Sequence, residues 1–524
     1  MSRRRGPRAP WNLVAGPACT VPALPAPPRR IPLLALMVAF TAIGTGCGDG
    51  ESSPAADASS PAAKAASRAT PASPKLRSRG DLRPPVADIR RSEPGQAPGL
   101  IFITPKKVFG AKRVPGAQGG PEIIDARGRV RYFKPNSDGD VANDFRVQTY
   151  RGKPVLTYWY GRQIKGTGKG VGVIYDERYR RIATVRAGNG LRADFHEFKL
   201  TDRGTALIIA YRTTTSEGKK VVEGVVQEIE IAGGKVLTEW RSLDDVPVSE
   251  SYEPEGARSS KTFDYIHLNS VALDSDGNLL ASARHTWALY KIERGTGKLL
   301  WTLGGKGSDF KMGKGTQTAW QHDAISEGDG VIRVFDNAAG DKTARKLLPY
   351  SRVVRLKVDA AAKTVALLSS RKHPDDVSAG TQGNGQALPG GGLFVGWGSQ
   401  GIFSEFSADG KMLFDARVPR GNDTYRAYKS EWTGVPSEKP RVAARLRGKR
   451  IVVDASWNGS TEVRAWRART GRTAGALRPA GRTPWKNLET SFGVPAGDAR
   501  YVAVEALDAS GKVLSTSPAR RVAR

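Results

Sequence analysis

Three of the five histidines in this 524-residue chain open look-alike segments, each standing at the same place relative to a glycine turn. HEFKLTDRGTALIIAY begins at His196, HLNSVALDSDGNLLASAR at His267 and HDAISEGDGVIRVFDN at His322. The turn glycines Gly204, Gly277 and Gly330 follow their histidines by eight, ten and eight residues. Apolar stretch, Asp/Gly turn, apolar stretch is the pattern of a hairpin. A fourth copy, GNGQALPGGGLFVGWGS, puts Asn384 near the corresponding place. A second strand pair also recurs, as VVQEIEIAGGKVLTEW ending at Trp240 and as WALYKIERGTGKLLWTLGG around Trp301.

Four short strands per unit, repeating at intervals of roughly 55 to 70 residues, are the pattern of a propeller blade rather than of a helical repeat. The predicted fold class is therefore all-β. A six-bladed β-propeller is expected over 95–435, where no long helical period occurs. In a propeller the first strand of each blade lines the central channel, so His196, His267 and His322 are expected to meet there. The other use for such a histidine is as a polar strand-start residue satisfied by the neighbouring blade.

After Pro436 the pattern changes. RVAARLRGKRIVVDASWNG, STEVRAWRAR, WKNLETSFGVP and ARYVAVEALDASGKVLSTS alternate at the strand spacing of a β-sandwich. Residues 436–524 are predicted as a fibronectin- or immunoglobulin-like module with a structural or binding role, since they contain neither histidine nor cysteine.

At the other end, Arg29 and Arg30 precede IPLLALMVAFTAIGTGC, an apolar run too short to span a membrane comfortably. Residues 1–47 thus read as a secretory signal. The run ends at Cys47 and is followed by a Ser/Ala/Pro-rich tether over 48–94, a layout that resembles a bacterial lipoprotein with Cys47 as the lipidated residue. Gly44 stands where a lipobox prefers Leu or Val, so plain cleavage is equally open. The expected location is extracytoplasmic, as a membrane-anchored lipoprotein or a secreted protein of the cell envelope. Loss of Cys19 with the signal leaves one thiol, which excludes an intramolecular disulfide.

The formal net charge of +31 is concentrated partly in the first thirty and last ninety residues. No basic stripe with interleaved stacking aromatics accompanies it, so nucleic acid is not an expected partner. Anionic lipid, envelope polymer or anionic substrate fits better. None of the glycine-rich stretches completes a phosphate loop, and no facing carboxylate pair suits a glycosidase.

His267 and Asn269, two apart on a strand, are expected to face one cavity. On the returning strand SARHTW, Arg284 and His285 would point to opposite faces. Arg284 is assigned to the cavity, because a guanidinium grips a tetrahedral oxyanion with several planar donors. His285 is read as structural, and His373, in the charged loop RKHPDD, as solvated. Asp323 is expected to be a backbone or turn partner. Three convergent histidines would suit zinc, but the charge of Arg284 argues against a metal, and no cofactor is called for. Trp287, Trp301, Trp320 and Trp397 are assigned to packing between blades, with one or two aromatics needed at the mouth for an aryl substrate.

DFHEFKLTDRG, DYIHLNSVALDSDGNLLASARH, TGKLLWTLGG, WQHDAISEGDGVIRVFDN and YRAYKSEWTGVP together resemble the bacterial arylsulfotransferases, over most of 194–436. The resemblance implies a six-bladed propeller that moves a sulfuryl group from a phenolic sulfate ester to a phenolic acceptor without a nucleotide sulfate donor. It implies a ping-pong course through a sulfohistidine at His322, supported by His196, His267, Asn269 and Arg284. Two other readings stand beside it. TGKLLW also resembles the tryptophan-docking repeat of quinoprotein propellers, although vicinal cysteines and a calcium-binding carboxylate set are missing. A non-catalytic surface propeller that binds anionic envelope or extracellular ligands is the other.

Overall fold

The computed structural model describes residues 73, 75–108, 117–137, 139–164, 166–255, 262–338 and 347–524. The signal 1–47, Cys47 and the tether as far as residue 72 lie outside the described residues. Strands and turns make up nearly all of the described chain, and the all-β expectation holds.

The three histidine hairpins form as predicted. Ala193–Leu200 pairs with Thr205–Ser216, Leu268–Leu273 with Leu279–Ala283, and His322–Gly328 with Val331–Asp336. Gly204, Gly277 and Gly330 hold φ of 72°, 83° and 68°, a left-handed conformation open to glycine at little cost. Each hairpin extends into an antiparallel meander: Lys219–Glu230 and Val236–Arg241 follow the first, Ala288–Ile292 and Leu299–Gly304 the second, Arg352–Asp359 and Thr364–Lys372 the third. Another meander runs through Val141–Tyr150, Lys153–Ile164, Thr167–Tyr175 and Arg181–Val185. A further one comprises Asn384–Ala387, Leu393–Gly396, Ile402–Phe406 and Met412–Arg417. Both faces of these sheets are covered, so ALIIA over 206–210 is buried throughout rather than alternately.

The two ends of this repeat are exchanged. Asp88–Ser92 pairs with Met412–Arg417 and supplies the outer edge of the last meander. Tyr428–Ser430 pairs with Leu100–Ile103 in the sheet that continues through Glu122–Ile124 and Val130–Phe133. The tether expected to reach residue 94 therefore ends earlier. Leu76 and Leu82 are buried in a core with Ile101 and Phe414, and Ser78 donates to Glu489 Oε2. The strand forms because the last sheet leaves a ladder edge to fill, a partner more than three hundred residues away that local composition does not reveal.

The C-terminal residues form two antiparallel sheets. Arg441–Arg447, Arg450–Ser456 and Glu489–Pro495 make one; Arg478–Pro484, Ala465–Gly471, Tyr501–Leu507 and Val513–Thr516 make the other. Ile451, Val453, Trp466, Val502 and Val504 share one core. This part is fastened to the edge strand Val130–Phe133: Asn458 bonds both the N–H (2.9 Å) and the C=O (2.8 Å) of Phe133, and the Arg131 guanidinium lies 3.4 Å from the Trp485 ring centroid.

Candidate active site

Each histidine strand leaves regular pairing beside its histidine. The register shifts between Ala193 and Phe198, between Leu268 and Ser270, and between His322 and Ile325. A bulge takes a side chain off the two-residue alternation and re-aims it. Left-handed backbone occurs at or next to two of the bulges, with φ of 50° at His267, 57° at Trp320 and 52° at Asp323, and at Trp287, Ala338 and Gln382 around the site, at 55°, 56° and 67°. For residues with a Cβ such conformations cost ~1–3 kcal/mol each and collect where function requires them.

His196, His267 and His322 are buried. The rings of His196 and His267 lie edge-on with centroids 4.8 Å apart. Arg284 lies over Trp320 at 4.7 Å and donates to Gly380 O at 3.2 Å. Burial first, and then the charge of Arg284, hold His322 well below the ordinary imidazole pKa. Burial also lowers His267, against the opposing pull of Asp264. Asn269 donates through Nδ2 to Gln321 O at 2.6 Å, beside the nucleophile candidate. All five predicted residues thus share one region.

The direction expected of His285 requires a correction, although its ring is held structurally by Asp264 O. Its ring lies 4.8 Å from that of His267, so Arg284 and His285 both approach the cluster. The strand ends at Ala283 and residues 284–287 form a turn, so strand alternation does not apply there. His373 is also not solvated: it is buried, edge-on to Trp397 at 5.5 Å and 3.4 Å from Asp415. Asn384 uses its amide to tie down Ala427 rather than to enter the cluster. Asp323 does act as a backbone partner, accepting from Gly385 N at 3.1 Å. Among the tryptophans, Trp301 packs on Phe310 and Trp397 on Phe335. Trp320 alone of the four both underlies Arg284 and offers its carbonyl to His322 Nδ1, at 3.0 Å.

The Nδ1 partners differ among the three histidines. His196 Nδ1 contacts the Asp194 carboxylate closely, and His267 Nδ1 lies 2.6 Å from Asp264 Oδ2. His322 Nδ1 instead faces a neutral amide, Asn337 Oδ1 at 2.7 Å. A carboxylate stabilises an imidazolium, whereas an amide orients the ring and leaves it neutral. Asp264, His267 and His285 offer ligand-type atoms within 4.8 Å of one another. Their approach is accounted for by Asp264, which accepts from His267 Nδ1 through Oδ2 and from His285 Nδ1 through its backbone oxygen at 2.6 Å.

Asp194, Asp264, Asn337, Tyr425 and Arg426 complete the site and were not singled out by the sequence. The Tyr425 hydroxyl donates to His196 O (3.2 Å), and Arg426 Nη2 donates to Asn269 O (3.1 Å), so both secure the backbone beneath the histidines.

A family model described as Arylsulfotransferase (ASST) matches residues 146–418, just over half of the chain. No curated protein matches. Similar solved structures include a protein of unknown function from Bacteroides caccae (12% identity, 64% of this chain, 99% of that chain, TM-score 0.38). Virginiamycin B lyase from Staphylococcus aureus is another (10% identity, 70% of this chain, 95% of that chain, TM-score 0.31).

Proposed function

Since the chain belongs to the arylsulfotransferase family, we propose that it transfers a sulfuryl group from a phenolic sulfate ester to a phenolic acceptor, with no nucleotide donor, through a sulfohistidine on His322. The observation that carries this reading is the contrast in Nδ1 partners, amide at His322 and carboxylate at His196 and His267.

With Nδ1–H held by Asn337 and Trp320, His322 carries its lone pair on Nε2. That nitrogen attacks sulfur in line; the N–S bond forms as the sulfur–aryloxy bond breaks. The departing phenolate takes a proton from His196 or His267. The acceptor phenol returns a proton to the same imidazole, its oxygen attacks sulfur, and the N–S bond breaks to restore neutral His322. A covalent intermediate splits one displacement into two easier ones. Arg284 and the second Nδ2 hydrogen of Asn269 would hold the sulfuryl oxygens as charge builds on them. Burial lowers His267, and the Asp194 carboxylate against His196 Nδ1 makes His196 the proton carrier in this reading.

In this reading the meanders are six blades: five four-stranded meanders, the last of them edged by Asp88–Ser92 as a fifth strand, and one built from Leu100–Ile103, Glu122–Ile124 and Val130–Phe133 with Tyr428–Ser430. The exchanged ends support that count. The C-terminal sheets would be a fibronectin- or immunoglobulin-like sandwich. The signal and Cys47 would take the protein out of the cytoplasm, either secreted or tethered by lipid.

The test is sulfate transfer from p-nitrophenyl sulfate to a phenol by the purified chain without nucleotide, wild type beside His322→Asn. Nitrophenol release that requires both the acceptor and His322 is expected. Release unchanged in the variant would move the nucleophile elsewhere, and no release with several aryl sulfates would favour an anion-binding propeller.

A further inference from the structure

Building on His322 as nucleophile, we propose that Asn337 is a positioning residue with two tasks: its Oδ1 fixes which nitrogen of His322 is reactive, and its Nδ2 holds the 379–382 loop over that nitrogen.

The orientation of the amide follows from its partners. Asn337 Nδ2 lies 2.7 Å from Ala379 O and 3.0 Å from Gln382 O. Backbone carbonyls only accept, so the NH2 end must face them and Oδ1 must face His322 Nδ1. Oδ1 also only accepts, so Nδ1 carries the proton and Nε2 carries the lone pair. Trp320 O, at 3.0 Å from Nδ1, requires the same tautomer. Gln382, at φ 67°, then donates its N–H to Nε2 at 3.2 Å. The loop is held from two further sides: Arg284 donates to Gly380 O, and Gln382 Nε2 donates to Asp423 Oδ2 at 3.1 Å. Asn337 therefore links the acceptor behind the nucleophile to the donor in front of it. Before transfer the Gln382 N–H covers the nitrogen lone pair; an arriving sulfuryl group takes that place and brings its oxygens to the same N–H.

Arg284, His196 and His267 are the charged or titratable groups that act most strongly on His322. Asp323 is turned to Gly385 N, and Asp336 to Ala319 N, Ala338 N and Arg352. A carboxylate at position 337 would add a negative charge against Nδ1 and would repel the two carbonyls.

The test uses the full chain labelled with [15N]histidine, in which five histidines give a tractable spectrum and His322→Asn assigns the signal. Wild type is expected to show the Nδ1–H tautomer at His322. In Asn337→Asp the His322 titration should move upward by about one unit or more, and kcat should fall on the order of 10²-fold with KM little changed. Asn337→Leu leaves Trp320 O as the one acceptor at Nδ1 and should raise the share of the Nε2–H tautomer. A titration and tautomer unmoved in both variants, each folded by its melting profile, would overturn the proposal. Sulfate transfer absent from wild type alongside the expected NMR shifts would instead remove the function and leave the positioning role standing.

Discussion

Two buried polar layers lie back to back in this molecule, and they are built to opposite ends. On one strand, His196 belongs to the first and Glu197 to the second. The second layer is built from ion pairs. Arg146 Nη2 meets Glu197 at 2.6 Å and Asp144 at 2.9 Å; Arg426 Nη1 meets Asp144 at 3.1 Å and Glu197 at 3.2 Å; the Tyr428 hydroxyl donates to Asp144 at 2.8 Å. Burial opposes the charge on Glu197, but Arg426 and Arg146 prevail and hold it down to about 2. Burial likewise opposes Arg426, yet Glu197, Tyr428 and Asp144 keep it firmly charged. In the histidine layer burial wins: His322 and His267 are both pushed toward neutrality. Charges held in ion pairs keep their protonation and make a frame, whereas an imidazole that burial keeps from charging keeps a lone pair for bonding to sulfur.

Substitutions should separate the layers. His322→Asn is expected to lower turnover by at least ~10³-fold, since no covalent intermediate forms, with little change in melting temperature. Arg426→Leu should act mainly on stability, costing about 3–5 kcal/mol because Glu197 and Asp144 would be left buried with Arg146 as their one guanidinium partner; chemical denaturation of the two variants side by side reads the contrast. Arg284→Met should reduce kcat on the order of 10²-fold. It should also move the acid limb of kcat/KM to higher pH, because removing a positive neighbour raises His322; a pH profile of nitrophenol release checks the direction. Acid should weaken the frame through Glu197. Its folded pKa lies below the unfolded one, so its contribution of a few kcal/mol is complete above about pH 5 and is lost as pH falls toward about 2. Tyr428→Phe is the mildest change, about 1–2 kcal/mol from one lost buried hydroxyl, with transfer activity kept.

The histidine layer was legible because its residues recur in register with the turn glycines, and the hairpins form where the sequence put them. Alternation gave the direction of Asp323, which faces Gly385 N as a backbone partner, but not that of His285, which the turn at 284–287 brings to the cluster. The carboxylate partners did leave a signal, Asp194 two residues before His196 and Asp264 three before His267. Asn337 sits where the hairpin opened by His322 closes, His322 pairing with Phe335 two residues earlier. Pairing the hairpin ends would have found it. The strand Asp88–Ser92 acts through closure between distant ends of the chain, which no local pattern encodes, whereas Arg426 lay within the motif YRAYKSEWTGVP with no role assigned to it.

The most direct measurement is mass spectrometry of the chain quenched after reaction with an aryl sulfate alone. The account predicts one added sulfuryl group per chain on the peptide containing His322, absent in His322→Asn and discharged by adding a phenol. A sulfuryl group on His196 or His267, or steady transfer with none on any histidine, would contradict it.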